Sequence, residues 1–199
     1  MPKVSALTAA STPLTGTEIV PLVQGGNSRR ATVHDLRGPV ASEVLLQNAV
    51  TAASQTNIDF TGVPSWVNRI AVHFLGLSTN GTSRVQVQIG DSGGIENTNY
   101  LGSSSLIGTG SATVAMSAGF ILNFDAADVA AATRQGTMFI SRITGNTWAA
   151  SGSVGLSDTT RVCVFGGTKA LSDTLTQVRI TTVSGADTFD AGSVALSWE

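Results

Sequence analysis

A chain of 199 residues is long enough for one well-buried domain of ~150 residues and a short extra module. It is 42% hydrophobic but only 12% charged, with a net charge of -2 and acids and bases scattered along its length. No basic field forms that would hold phosphates at physiological salt, which argues against nucleic acid as a partner. Hydroxyl-rich runs such as Ser103-Ser104-Ser105 and Thr181-Thr182 supply neutral polar surface instead. One cysteine, Cys163, excludes an intrachain disulfide and a thiolate metal site within one subunit. Its setting, Arg161 to Phe165, reads as a strand with a small buried residue at its centre. No stretch approaches the ~20 apolar residues of a transmembrane helix.

In chain order, residues 1–38 read as a separate module, with Gly38-Pro39 as the seam and 39–43 as a linker. Met1 to Ser5 carries one lysine and no apolar signal-peptide core. Synthesis in a cytoplasm, followed by assembly, is the expectation. Thr17 to Val23 is β-prone, Gln24 to Asn27 is a turn, and Arg29 to Val33 alternates polar with apolar residues, which together predict a hairpin. A lone hairpin buries too little apolar surface to be stable in water, so this one needs a partner surface or copies of itself.

From Val44 onward the pattern is all-β. Val44 to Ala53 is taken as a strand with Val44, Leu46 and Val50 on one face, a helix being the alternative. Alternating runs follow at Arg69 to Phe74, Arg84 to Ile89, Thr113 to Phe124, Thr137 to Ile143, Thr147 to Leu156, Arg161 to Phe165, Leu175 to Val183 and Ser193 to Trp198. Asp125 to Arg134 predicts a short helix or loop between strands. Eight to ten strands fit an antiparallel, jelly-roll-like β-sandwich over 44–199.

Gly90-Asp91-Ser92-Gly93-Gly94 matches the string around the nucleophilic serine of trypsin-like proteases. Such chemistry needs a histidine to accept the hydroxyl proton and a carboxylate to hold it. Only His34 and His73 are present, His34 in the hairpin module and His73 just 19 residues before Ser92, so chain order and spacing both fail. The string reads instead as a turn leaving a strand. The pairs Asp91 with Glu96 and Asp187 with Asp190 are the candidates for two-carboxylate glycoside chemistry, and solvated turn acids are the plainer reading. No HExxH, DxDxDG or paired-histidine spacing suggests a metal, and no cofactor is expected. Among aromatic residues, Trp66 and Trp198 read as core, while Tyr100 and Trp148 lie beside Asn97, Asn99 and Asn146 and are the candidates for an exposed glycan contact. Asn80-Gly81-Thr82 reads as a hairpin turn.

Thr15 to Gly26, followed by Arg29 to Val33 and Asp35-Leu36, resembles the amino-terminal motif of tailed-bacteriophage fibre and tailspike proteins. Ile58 to Trp66, Ser78 to Ser83, Gly90 to Glu96 and Asp187 to Ser193 resemble a small domain of phage tail-fibre proteins. The resemblance implies a homotrimeric structural protein of the virion, without catalysis. Its N-terminus would attach to a neck, tail or capsid component. Glu18, Ile19, Val20, Pro21, Leu22, Val23, Gly25, Gly26, Arg29 and Arg30 are then the attachment residues. Glu18, Arg29 and Arg30 would make charged contacts, and Ile19, Val20, Leu22 and Val23 would form the buried face. A capsid decoration or cement protein, and a module binding a host-surface glycan, are the alternatives.

Overall fold

The structure, a computed structural model, describes residues 19–32, 44–107, 112–123, 130, 132–157 and 161–199. Two compact units divide the chain, Met1–Glu43 and Val44–Glu199. Glu18, His34, the linker 39–43 and most of the Asp125 to Arg134 stretch lie outside the described residues.

In the first unit, β1 (Ile19–Gln24) pairs antiparallel with β2 (Asn27–Thr32). The two-residue loop is Gly25-Gly26, with φ of +59° and +77°. A loop of this handedness follows the strand twist, and glycine adopts positive φ at no steric cost. Register then puts Val20 and Leu22 on one face with Ala31 and Arg29, and Ile19, Pro21 and Val23 on the other with Thr32, Arg30 and Ser28.

The second unit is all-β and antiparallel, with no helix among the described residues. Its strands are β3 (Leu45–Leu46), β4 (Val50–Thr51), β5 (Ile58–Thr61), β6 (Arg69–Thr79), β7 (Val85–Asp91), β8 (Gly94–Ile95) and β9 (Leu101–Ile107). They continue as β10 (Ala112–Ala115), β11 (Phe120–Ile121), β12 (Arg134–Thr144), β13 (Thr147–Leu156), β14 (Arg161–Ala170), β15 (Gln177–Thr182) and β16 (Phe189–Trp198). Four of these have only two residues, so ten longer strands remain, the upper end of the expected count. A large sheet runs β10-β9-β14-β13-β12-β6-β16-β3, with β4 also on β16, and a smaller one runs β11-β7-β15-β5, with β8 on β7.

One core joins the two sheets. A single row across the large sheet is Ser104, Phe165, Gly152, Met138, Val72 and Leu196. The small sheet contributes Val85, Val87, Ile89, Val178, Ile180, Ile58 and Phe60. Gly152 makes room for its neighbour: a Cβ there would lie 3.0 Å from the Phe165 ring and 2.5 Å from the Thr137 carbonyl oxygen. Cys163 and Trp198 are buried, as expected.

Among the described residues no second sheet packs on the opposite face of the large sheet, although Ala71 and Ser197 there are buried. Two adjacent rows cross seven strands on it. One is Ala115, Ser103, Gly166, Ser151, Phe139, Ala71 and Ser197; the other is Thr113, Ser105, Val164, Ser153, Thr137, His73 and Ala195. Neither contains a lysine, arginine, aspartate or glutamate.

Three local expectations change. β3 and β4 are strands, but both Val44 and Leu46 are exposed and only Val50 packs on the core, because residues 47–49 interrupt the pairing with β16. Asn80-Gly81-Thr82 is not a hairpin turn: β6 and β7 belong to different sheets, and this segment is the corner between them. Trp66 is 40% exposed, since Pro64 to Val67 forms a turn closed by the Val67 N–H on the Pro64 carbonyl at 3.1 Å, with Val63 and Val67 taking the buried positions.

Replacing Gly152 by valine should lower unfolding free energy by ~1–3 kcal/mol through overpacking against Phe165 and the β12 backbone. Urea denaturation of the full chain measures this, with Gly155→Ala as the comparison, because a Cβ at Gly155 has only one neighbour, at 4.0 Å.

Candidate functional site

The hairpin carries the predicted attachment residues, Glu18 excepted. Period two splits the proposed buried set between its faces: Val20 and Leu22 are half-buried, while Ile19 and Val23 on the other side are 61% and 74% exposed. A single buried face made of all four is therefore corrected by the alternation of side chains along a strand. Pro21 is exposed beside Ile19 and Val23, and Arg29 and Arg30 are exposed on opposite faces. Each face thus offers an apolar stripe with one guanidinium. Arg29 and Arg30 are the only charged residues in Ile19–Thr32, a local charge of +2.

In the body, the protease-like string forms a small hairpin. β7 ends at Asp91, Ser92-Gly93 turns, and β8 begins at Gly94, so Asp91 stands opposite Gly94. Asp91 Oδ1 accepts the Gly93 N–H at 2.7 Å, and its Oδ2 accepts the Ser172 hydroxyl at 2.7 Å. Glu96 Oε1 accepts the Ser172 N–H at 2.7 Å, and its Oε2 pairs with Lys169 Nζ. The Lys169 side chain is only 2% exposed and its ammonium lies 5.6 Å from the centre of the Tyr100 ring. Tyr100 Oη accepts the Ile89 N–H at 2.8 Å and donates to the Glu96 carbonyl at 2.9 Å. These contacts tie the β7–β8 turn to the end of β14 and the segment after it.

The electrostatics follow. Hydrogen bonds from Ser172 and from the Gly93 N–H hold the Asp91 carboxyl below its ordinary range. Burial alone would raise the Glu96 carboxyl, but the bonds from Lys169 and Ser172 outweigh it and set it low as well. Burial pushes the Tyr100 phenol well up, so it stays protonated and able to donate.

Ser92 is exposed at the tip of this turn. His73 lies on β6 in the other sheet, with Nδ1 bonded to Thr137 Oγ1 at 3.2 Å and Nε2 to Ser197 Oγ at 3.0 Å. Both ring nitrogens are therefore engaged by hydroxyls other than Ser92. Asp187 and Asp190 hold the corner between the sheets. Asp187 accepts the Ser83 N–H at 2.7 Å, and Asp190 accepts the Ser78 hydroxyl.

Tyr100 and Trp148, the candidates for an exposed glycan contact, are each 1% exposed, which corrects that expectation. Asparagine marks the turns correctly, yet each aromatic is past its turn on the inward side. Asn99, at φ +59°, turns the chain so that Tyr100 enters the core and meets Phe120 edge-on at 4.8 Å. Trp148 shares the inward face of β13 with Ala150 and Val154, under the Arg142 guanidinium at 5.3 Å.

The sequence did not signal a shallow groove of about 220 Å³ on the bare face of the large sheet, lined by Val44, Arg69, His73, Phe139, Ser197 and Glu199 among others. Arg69 spans it, 4.6 Å from the Phe139 ring centre and 3.0 Å from Glu199 Oε1. The chain matches no protein-family model, no curated protein and no solved structure.

Two measurements test the polar clamp. Glu96→Gln leaves the buried Lys169 ammonium without its carboxylate and should cost ~3 kcal/mol of stability, whereas Glu96→Gln with Lys169→Met should recover most of it in urea titrations. The depressed carboxyls of Asp91 and Glu96 contribute stability that is complete above their ordinary values of 3.8 and 4.5 and is lost as pH falls through their lower native values. Acid unfolding followed by tryptophan fluorescence should therefore be less steep in Asp91→Asn/Glu96→Gln than in the wild type.

Proposed function

We propose that this chain is a non-catalytic structural protein of a tailed-phage virion. It would be a short appendage, assembled as a homotrimer, whose hairpin docks on a neck, tail or head component. The observation that carries this reading is the hairpin: two described strands in the unit Met1–Glu43, with Ile19 and Val23 exposed on one face and Val20 and Leu22 half-buried on the other. Two strands alone are marginal in water, so the hairpin's stable state is a bound one. Its composition favours a partner surface that is apolar with acidic groups at its border, since Arg29 and Arg30 are the only charges between Ile19 and Thr32. The resemblance of Thr15 to Leu36 to phage attachment segments points the same way.

The clamp removes the main support for the competing enzymatic reading. Asp91, Gly93, Gly94 and Glu96 have structural duties, and Ser92 is exposed and has no histidine partner among the described residues. Ser92→Ala should leave phage assembly and infectivity unchanged. With Tyr100 and Trp148 in the core, no observation favours a glycan-binding role over an architectural one.

The test is incorporation. Phage carrying Leu22→Asp with Val23→Asp, which spoils both hairpin faces, should yield particles lacking this protein while the soluble chain keeps its β circular dichroism. Recovery of the variant on purified particles at the wild-type copy number would sink the attachment reading. Copy number also separates an appendage, present in a few sets per particle, from a cement protein that coats the head lattice.

A further inference from the structure

We infer that the bare face of the large sheet is covered by another copy of this chain. This deepens the assembly part of the reading above by naming the surface, and it can stand or fall apart from virion attachment. A face exposed to water in an antiparallel sheet ordinarily carries charged side chains among its polar ones. Here two rows, each crossing seven strands, carry none, and their single titratable group is His73, already bonded to Thr137 and Ser197. Arg69 and Glu199 stand at the margin and neutralise each other.

Branched aliphatic residues beside those rows give a second, independent sign. Leu101, Ile107 and Val162 are 68%, 57% and 44% exposed, and Val164, within the second row, is 36% exposed. Register makes Ile107 and Val162 direct neighbours, so they form one apolar patch continuous with Val164. A large apolar patch on a solvent face marks a contact surface.

Size and charge select the occupant. With strands ~4.8 Å apart and outward residues ~6.8 Å apart along each, two rows over seven strands give a footprint of roughly 450 Å². The aliphatic residues beside the rows extend it towards the ~800 Å² per partner of a standard interface. A neutral surface cannot select a partner by opposite charge, but it meets its own copy without repulsion, and the net charge of -2 adds little at long range. Small side chains such as Ser103, Ser151 and Gly166 let a second layer approach to the ~10 Å of ordinary sheet packing.

The experiment is sedimentation equilibrium of the full chain, with circular dichroism confirming the fold. Wild type should sediment as a multiple of 20.3 kDa. Val164→Glu and Ser151→Glu should shift towards a single 20.3 kDa chain, weakening association at least ~10-fold. Thr61→Glu, exposed on the small sheet, should keep the wild-type mass. A wild type that stays monomeric at ~100 µM overturns the inference, as does retention of the full oligomer by both face variants. Loss of the oligomer in a chain lacking 1–43, with no effect of Val164→Glu, also overturns it by assigning assembly to the hairpin. An oligomer intact in a hairpin variant that fails to join particles supports the face and separates it from attachment.

Discussion

A β-strand shows its side chains to two faces, and in the large sheet only one of those faces packs on a second sheet among the described residues. That constraint organises the whole second unit. The five-stranded sheet covers the inward rows, where Phe165, Met138, Val72 and Leu196 stand side by side, and the outward rows are left to hydroxyls, alanine, glycine and a few aliphatic groups. The low charge content of the chain is thereby localised. In the second unit the described charges sit at corners, in the polar clamp, on the inward side of the large sheet as the buried Arg134 and as Arg142 over Trp148, at the start of β14 as Arg161, on the small sheet as the Arg179–Asp59 pair, or at the margin of the bare face.

The clamp shows how a polar turn becomes necessary to such a core. Lys169 lies on the inward side of the β14 end, where an unpaired ammonium would be costly, so a carboxylate must meet it. Glu96 can reach it only because the chain reverses at Ser92-Gly93, and that reversal is fixed by Asp91 accepting the Gly93 N–H. Ser172 then couples the two carboxylates, its one hydroxyl proton shared between Asp91 Oδ2 at 2.7 Å and Glu96 Oε1 at 2.8 Å. A close pair of acids thus serves as a fastener between β8 and β14. The residue spacing that imitates a protease is what a two-residue hairpin followed by a lysine-binding glutamate requires.

Alternation was a reliable guide where side chains are large. The runs around Ile70, Met138 and Val194 lie in strands with the inward faces that their spacing implies, whereas the run around Val87 is buried on both faces. It was silent where composition carries no apolar signal: β9 contains Gly102-Ser103-Ser104-Ser105, which no alternating run marks as a strand, yet it pairs along its length with β14. Its strand character comes from its neighbours, not from propensity. Exposure of the aromatics was misjudged for a related reason. Turn-forming asparagines locate the bend but not the direction of the next side chain, which register decides for Tyr100 and Trp148. Lys169 and Ser172 are 73 and 76 residues from Glu96, beyond any local pattern. The Gly25-Gly26 hairpin, by contrast, was fully local and fully legible.

The two units share one property despite their difference in size. Among the described residues each leaves apolar surface exposed: Ile19 and Val23 on the hairpin in one, Leu101, Ile107, Val162 and Val164 on the sheet face in the other. For the hairpin the shortfall is extreme, since burying Val20 and Leu22 on one face leaves Ile19, Pro21 and Val23 on the other. A partner that clasped only one face would leave the second open, so a groove enclosing both, or a layer of hairpins with each between two neighbours, matches the alternation better than a flat surface. An enclosing groove also brings Arg29 and Arg30 to opposite walls, where each guanidinium can meet an acid without competing with the other.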